Sequence, residues 1–197
     1  MIIGIDFDNT IADYTGVFYR VALQLGWISA DIGQSKTEVK DYFIQQNREP
    51  KWTELQGIVY GKEIGQAVPY DGALKCLQSL KEQGHTLYLV SHKTRYPIIG
   101  SKVDFHLAAK NWLATNNFIG QINAPFEEDT LFFNETLDTK VNKIKELKCD
   151  VFIDDLEKVL THSDFPTSCQ ALLFQPNLSN DQSNHITHWH EVNAQLC

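Results

Sequence analysis

The chain opens on a short apolar run, Ile2, Ile3, Gly4 and Ile5, and turns polar at Asp6. A run of about five residues without alternation suits a strand buried on both faces of a parallel sheet. Similar runs recur at Thr86–Val90, Thr130–Phe133, Asp150–Asp154 and Gln170–Phe174. Between them the apolar positions fall at helical spacing. Ala73, Leu74, Leu77 and Leu80 line one face, with Gly84 just beyond the expected helix end. Val103, Leu107, Ala108, Trp112 and Leu113 line a second over Ser101–Asn117, and Val141, Ile144 and Leu147 a third over Asp138–Lys148. A short helix is expected at Leu156–Leu160, and the weakly patterned tail to Cys197 reads as helical. Strands alternating with helices imply a parallel sheet with right-handed crossovers.

The stretch after the first strand breaks this alternation. Tyr14, Val17, Phe18, Val21, Ala22 and Leu25 recur at helical spacing before Gly26. Thr37–Gln46 and Trp52–Tyr60 read as two more short helices, with Pro50 between them. The fold class that follows is α/β: a Rossmann-like open parallel sheet of about five strands with flanking helices, carrying a small all-helical insertion. The sheet domain takes residues 1–12 and 70–197, and the insertion takes 13–69. Trp27, Tyr42, Trp52 and Tyr60 in the insertion are expected mainly as its own core.

Composition narrows the partners. Hydrophobic residues make up 43% and charged residues 21% of 197 positions, the balance of a soluble globular chain. No apolar run approaches the roughly 20 residues needed to span a bilayer, so no membrane partner is expected. The N-terminus enters the first strand without a basic, then apolar, leader, so cytoplasmic residence is the expectation. Cys76, Cys149, Cys169 and Cys197 form no CxxC pair and read as reduced cysteines. Net charge is −8 and no basic stripe is visible, which argues against a nucleic acid polymer as partner. An anionic substrate would therefore need a locally positive site.

The chemistry concentrates where the apolar runs stop. Asp6 and Asp8 are two apart, so on a strand they project to the same side, at the end where open α/β sheets bind ligands. Two carboxylates about 4 Å apart repel by roughly 4 kcal/mol at an effective dielectric near 20. A shared proton or a bound cation offsets this, and either serves an enzyme: a metal-held carboxylate as nucleophile, a protonated neighbour as general acid. The second strand ends at Ser91, followed by His92, Lys93 and Arg95, and the fourth at Asp154 and Asp155. In a parallel sheet these ends share one edge. At least four carboxyl groups and a hydroxyl then surround one crevice.

These residues, in this order, resemble the haloacid dehalogenase-like (HAD) phosphohydrolase superfamily over nearly the whole chain. The match rests on Asp6-Phe7-Asp8-Asn9-Thr10 after an apolar strand, Ser91 after Leu87–Val90, a lysine opening the helix before the fourth strand, and Phe152-Ile153-Asp154-Asp155. The helical insertion occupies the position of the family's cap. The resemblance implies a Mg²⁺-dependent phosphatase acting on a small phosphorylated metabolite, a nucleotide or sugar phosphate, through an aspartyl-phosphate. Asp6 would be the nucleophile and Asp8 the general acid, then base. Asp6, the Asp8 backbone carbonyl and Asp154 would hold Mg²⁺, with Asp155 and Thr10 in support. Ser91 and a lysine would bind the phosphoryl group; the family's spacing favours Lys140 over Lys143. Retention of Asp8 favours phosphoester chemistry over carbon–halogen cleavage, since a halide leaves unprotonated.

Two alternatives share these residues: a phosphotransferase or phosphomutase using the same aspartyl-phosphate, and a binding module that kept the fold. His92 and Lys93 are candidate substrate contacts, with Arg95 close behind. His185, His188 and His190 match no strong zinc spacing and read as a surface tail.

Overall fold

In the computed structural model, which describes residues 1–176 and 184–196, Ile2–Ile5 forms strand β1 at the centre of a six-stranded sheet. The other strands are β4 (Thr86–His92), β5 (Leu131–Asn134), β6 (Val151–Asp154), β7 (Gln170–Phe174) and β8 (His185–Ile186), in the order β5-β4-β1-β6-β7-β8. All pairings are parallel. Two further strands, β2 (Ala12–Asp13) and β3 (Val68–Pro69), pair as a separate ribbon. The sheet thus has one strand more than the pattern predicts. That strand, β8, is two residues long, too short to show a period, and it replaces part of the helix expected in the tail. A single helical turn, α8 (Val192–Gln195), follows it. Cys197 lies outside the described residues.

The chain divides into two units. The first comprises residues 1–12, 69–93 and 113–197 and contains the six-stranded sheet. Helices α4 (Ala73–Glu82), α6 (Leu137–Glu146) and α7 (Glu157–Leu160) pack in this unit. One of its core clusters joins Val90, Val141, Ile144, Phe152, Val159 and Leu173 with Cys149 and Cys169. Cys76, Cys149 and Cys169 are free and buried, and burial pushes their thiols up to about 11, 12 and 12. They are core residues and poor nucleophiles at neutral pH.

The second unit comprises residues 13–68 and 94–112. It holds α1 (Val17–Gln24), α2 (Lys36–Gln45), α3 (Glu49–Tyr60) and α5 (Phe105–Thr115) as far as Trp112. The segment 94–112, which the sequence reading assigns to the sheet domain, packs here. Pro50 does not separate two helices. It occupies the first turn of α3, where its missing N–H costs nothing. Ser35 caps α2 and Glu38 returns the bond. The first turn of the expected helix over 101–117, residues 101–104, is a loop, and the Asp104 carboxylate accepts from Leu107 N at 3.0 Å as α5 begins. Phe18, Trp52 and Tyr60 form the aromatic centre of this unit, with Phe18 5.2 Å from Trp52 and 5.6 Å from Tyr60 between ring centroids. Trp27 and Tyr42 are half-buried at its margin. No helix among the described residues is long and apolar enough to cross a membrane.

Candidate active site

β1 delivers Asp6 to the carboxyl edge of the sheet. Asp6 N still donates to Ile153 O at 2.9 Å, so the β1–β6 ladder carries one residue past the strand. The backbone then folds on itself: Ile11 N and Ala12 N both donate to Phe7 O at 3.0 Å, and Asn9 adopts a left-handed φ of 58°. Asn tolerates that conformation better than most residues. The register Ile5↔Ile153 on one flank and Ile5↔Leu89 on the other sets Asp154 level with Asp6 and Ser91 one step beyond. Three strand ends therefore converge because the ladders are in register.

Lys140 enters from α6, whose N-terminus is capped by Thr136. Its ammonium lies 2.6 Å from Asp6 Oδ1 and 2.6 Å from Asp154 Oδ2, and all three side chains are buried. Lys143, one turn on, is half-buried: its Nζ lies 5.0 Å from the centre of the Phe132 ring and pairs with Glu146 at 2.6 Å. Of the two lysines at this end of α6, Lys140, which the resemblance favours, is the one whose ammonium meets Asp6 and Asp154. Asp154 Oδ1 accepts from Leu156 N at 2.9 Å. On the other side of the site, Lys93 Nζ lies 2.7 Å from Asp8 Oδ2, with the lysine side chain only 3% exposed. Sequence reasoning offers Lys93 as a substrate contact; the structure pairs it with Asp8. His92, between Ser91 and Lys93, is exposed.

Charge at this edge is unbalanced. Asp6, Asp8, Asp154 and Asp155 face the ammonium groups of Lys93 and Lys140, a formal excess of two negative charges. Burial, with Asp154 and Asp8 adding to it against the pull of Lys140, raises Asp6 from its ordinary 3.8 to about 7. Burial and the Asp6 and Asp154 charges raise Asp155 to about 8. Burial depresses the Lys140 pKa, but its two carboxylates outweigh burial and the net shift is upward.

Four buried polar atoms of this unit have no hydrogen-bond partner among the described residues: Asp8 Oδ1, Thr10 Oγ1, Ser91 Oγ and Asp155 Oδ1. Each such atom costs about 1–3 kcal/mol in an apolar interior. All four belong to the loop after β1 or to the ends of β4 and β6, which is where a ligand would satisfy them. Ligand oxygens of Asp6, Asp154 and Asp155 lie within 4.8 Å of one another. An all-oxygen, largely buried cluster with a formal excess of negative charge fits a hard divalent cation.

The tail residues sit apart from this set in character. His188, His190 and Glu191 bring ligand atoms within 4.8 Å, both histidines are exposed, and Thr187 already holds Glu191 through its N at 2.8 Å and its hydroxyl at 3.0 Å. Trp189, between the histidines, is buried, and its Nε1 donates to Thr10 O at 3.1 Å. Sequence reasoning missed this contact. Its residues are 179 positions apart, and no periodicity in the tail signals it.

Comparison with known proteins agrees with the fold. No family model matches the chain. A candidate nucleotidase of Bacillus cereus (strain ATCC 14579) is 26% identical over 163 residues, covering 80% of this chain and 77% of that one. Among solved structures, a predicted phosphoglycolate phosphatase from Haemophilus somnus aligns with a TM-score of 0.61 at 12% identity, covering 100% of this chain and 97% of that one. A HAD-superfamily hydrolase of subfamily IA from Geobacter sulfurreducens gives 0.60 at 12%, covering 100% and 96%. A HAD family hydrolase from Deinococcus radiodurans, solved with bound phosphate and sodium, gives 0.59 at 14%, covering 99% and 94%. The chain has the haloacid dehalogenase-like fold.

Proposed function

We propose that this protein is a divalent-cation-dependent phosphatase that hydrolyses a small phosphomonoester through an aspartyl-phosphate on Asp6. The observation that carries the reading is the Asp6–Lys140–Asp154 bridge surrounded by unsatisfied Ser91, Thr10, Asp8 and Asp155 atoms. Lys140 favours the ionised form of Asp6 against the burial that raises it, and offsets charge on an incoming phosphoryl group. Ser91 Oγ donates to a phosphoryl oxygen. Asp6 attacks phosphorus as Asp8 protonates the leaving alcohol, and Asp8 then takes a proton from the water that releases phosphate. Asp6, Asp154 and the Asp8 carbonyl, with Asp155 behind them, would hold the cation. Mg²⁺ is the expected ion, and its charge would neutralise the phosphoryl oxygens.

The candidate nucleotidase from Bacillus cereus places nucleoside monophosphates first among substrates to try. We place substrate selection in the second unit, whose sequence is inserted largely between the loop after β1 and β4. The test is phosphate release from a panel of nucleotide, sugar and small-acid monophosphates, with Mg²⁺, with EDTA, and with Asp6→Asn. Cation-dependent release that Asp6→Asn abolishes is the expected result. No release from any member by the wild-type protein sinks the reading, and release diverted to an added alcohol acceptor converts it to phosphotransfer.

A further inference from the structure

The lysine two residues after Ser91 has a position that the phosphatase reading does not use. Lys93 leaves the end of β4, where its N–H donates to Asn134 O at 2.8 Å and so extends the β4–β5 ladder. Its side chain runs inward rather than to solvent, passes the ring of Phe7 with Nζ 5.5 Å from the centroid, and ends 2.7 Å from Asp8 Oδ2. Burying an ammonium group is costly without a carboxylate partner, so the sequence places this lysine here at the expense of an apolar residue. The two carboxyl groups of the first loop are thereby held by different lysines. Lys140 takes Asp6 together with Asp154, and Lys93 takes Asp8.

The pairing is also selective between the two oxygens of Asp8. Oδ2 accepts from Lys93, while Oδ1 is buried and without a partner among the described residues. We propose that Lys93 is a positioning residue that anchors Asp8 by Oδ2 and leaves Oδ1 as the atom that gives and receives the proton. The inference rests on the phosphatase reading above. In the first step the Asp6 oxygen–phosphorus bond forms, the phosphorus–alkoxide bond breaks, and the proton on Oδ1 passes to the departing oxygen. In the second, water oxygen bonds to phosphorus, the Asp6–phosphorus link breaks, and a water proton returns to Oδ1. Lys93 donates to Oδ2 throughout, whether Asp8 is a carboxylate or a carboxylic acid, so the anchor survives both steps. A side chain free to rotate would present the proton in the wrong place for part of the time, a loss that positioned acid–base groups avoid.

A lysine that contacts substrate and one that orients Asp8 give different kinetics. In Lys93→Met the unreactive isostere keeps the stem packing. We expect kcat/KM for alkyl monophosphates, whose leaving groups need a proton, to fall about 10- to 100-fold. For p-nitrophenyl phosphate, whose leaving group departs unprotonated, the loss is expected to stay within about threefold, because positioned acid catalysis contributes little there. In an Asp8→Asn background the same change removes nothing further from the residual alkyl turnover, and Lys93→Arg recovers part of the loss. Equal losses for both leaving groups, or losses that multiply with those of Asp8→Asn, overturn the proposal and return Lys93 to direct substrate contact. An inactive wild-type protein overturns the phosphatase reading and this role with it, whereas an active wild type with equal losses removes only the role of Lys93.

Discussion

Lys140 and Asp6 are separated by 134 positions and meet at 2.6 Å. The contact joins α6 to the end of β1, and Asp154 closes it from β6 at the same distance. Removing the ammonium would leave two buried carboxylates without their partner. Lys140→Met is therefore expected to lower stability by about 3–5 kcal/mol in EDTA. Turnover is expected to fall by roughly 10²- to 10³-fold, the range found when one preorganised donor is removed. Lys143→Met in the same helix loses a pair with the exposed Glu146 and should change stability by less than about 1 kcal/mol and leave turnover unchanged. Thermal unfolding and phosphate release on both variants check this pair; similar effects from the two would contradict the inward role of Lys140.

The raised carboxyls give the metal-free protein a pH dependence of definite sign. Asp6 stands at about 7 and Asp155 at about 8, both above the ordinary 3.8. A group whose folded pKa is raised stabilises the fold fully below its unfolded value and loses that contribution as pH climbs through the folded one. In EDTA the melting temperature should therefore decline between about pH 4 and pH 8, most steeply in the middle of that window, where both groups are protonated in the folded state and ionised in the unfolded one. The raised pKa of Lys140 adds no slope there, because this lysine is charged in both states. A divalent cation binds the ionised form, so Mg²⁺ should raise the melting temperature more at pH 8 than at pH 5. Asp155→Asn should flatten the upper part of the slope. Equal stabilisation by Mg²⁺ at both pH values would count against a cation at this cluster.

The parts of the fold that sequence reading recovers are those with a repeating physical cause. Five strands stand out because each is buried on both faces and reads as an apolar run. Asp6, Asp8, Ser91, Asp154 and Asp155 stand out because polarity changes abruptly where those runs stop. β8 does not, since two residues carry no period. The start of α5 is misplaced because Val103 falls on the helical spacing, while Pro97 and Gly100 just ahead of it mark a loop. The partner of Lys93 and the membership of 94–112 in the second unit depend on where a loop travels after its strand, and nothing in its local pattern states that. Lys140 and Lys143 share a helix end; the resemblance favours Lys140, but the pair of carboxylates it meets lies on β1 and β6 and is not written in the helix itself.

Gly4 is set by the closeness of β1 to β6. A Cβ at this position would lie 2.5 Å from Phe152 Cδ2 and 3.0 Å from Cys149 Sγ. Phe152 is wholly buried in the sheet core and cannot swing into solvent. Gly4→Ala should cost about 1–3 kcal/mol through overpacking. In a chain of this length each kcal/mol is worth about 2–4 °C in melting temperature. Phe152→Leu in the same background should recover part of the loss by making room. Calorimetry on the wild type and both variants decides it, and an unshifted single variant would mean that β1 and β6 pack less tightly than the register implies.

Trp189 ties the end of the chain to the loop that carries Asp6 and Asp8. Its indole Nε1 donates to Thr10 O at 3.1 Å, its ring lies 5.7 Å from that of Phe174, and Tyr70 meets Phe174 edge-on at 4.9 Å. The loop has its own turn hydrogen bonds, but the Thr10 hydroxyl is unsatisfied, so the carbonyl bond from Trp189 is one of the ties that fix Thr10 from outside the loop. Trp189→Phe keeps most of the packing and deletes the donor, leaving a buried carbonyl without its partner. We expect a stability loss of about 1–3 kcal/mol. The loop should also loosen, which predicts weaker Mg²⁺ binding and lower turnover, with a smaller loss of turnover when Mg²⁺ is saturating. Trp189→Leu should lose more stability, because it also removes aromatic packing. A Trp189→Phe protein with reduced melting temperature but unchanged Mg²⁺ affinity and turnover would show that the tail braces the core and not the loop after β1.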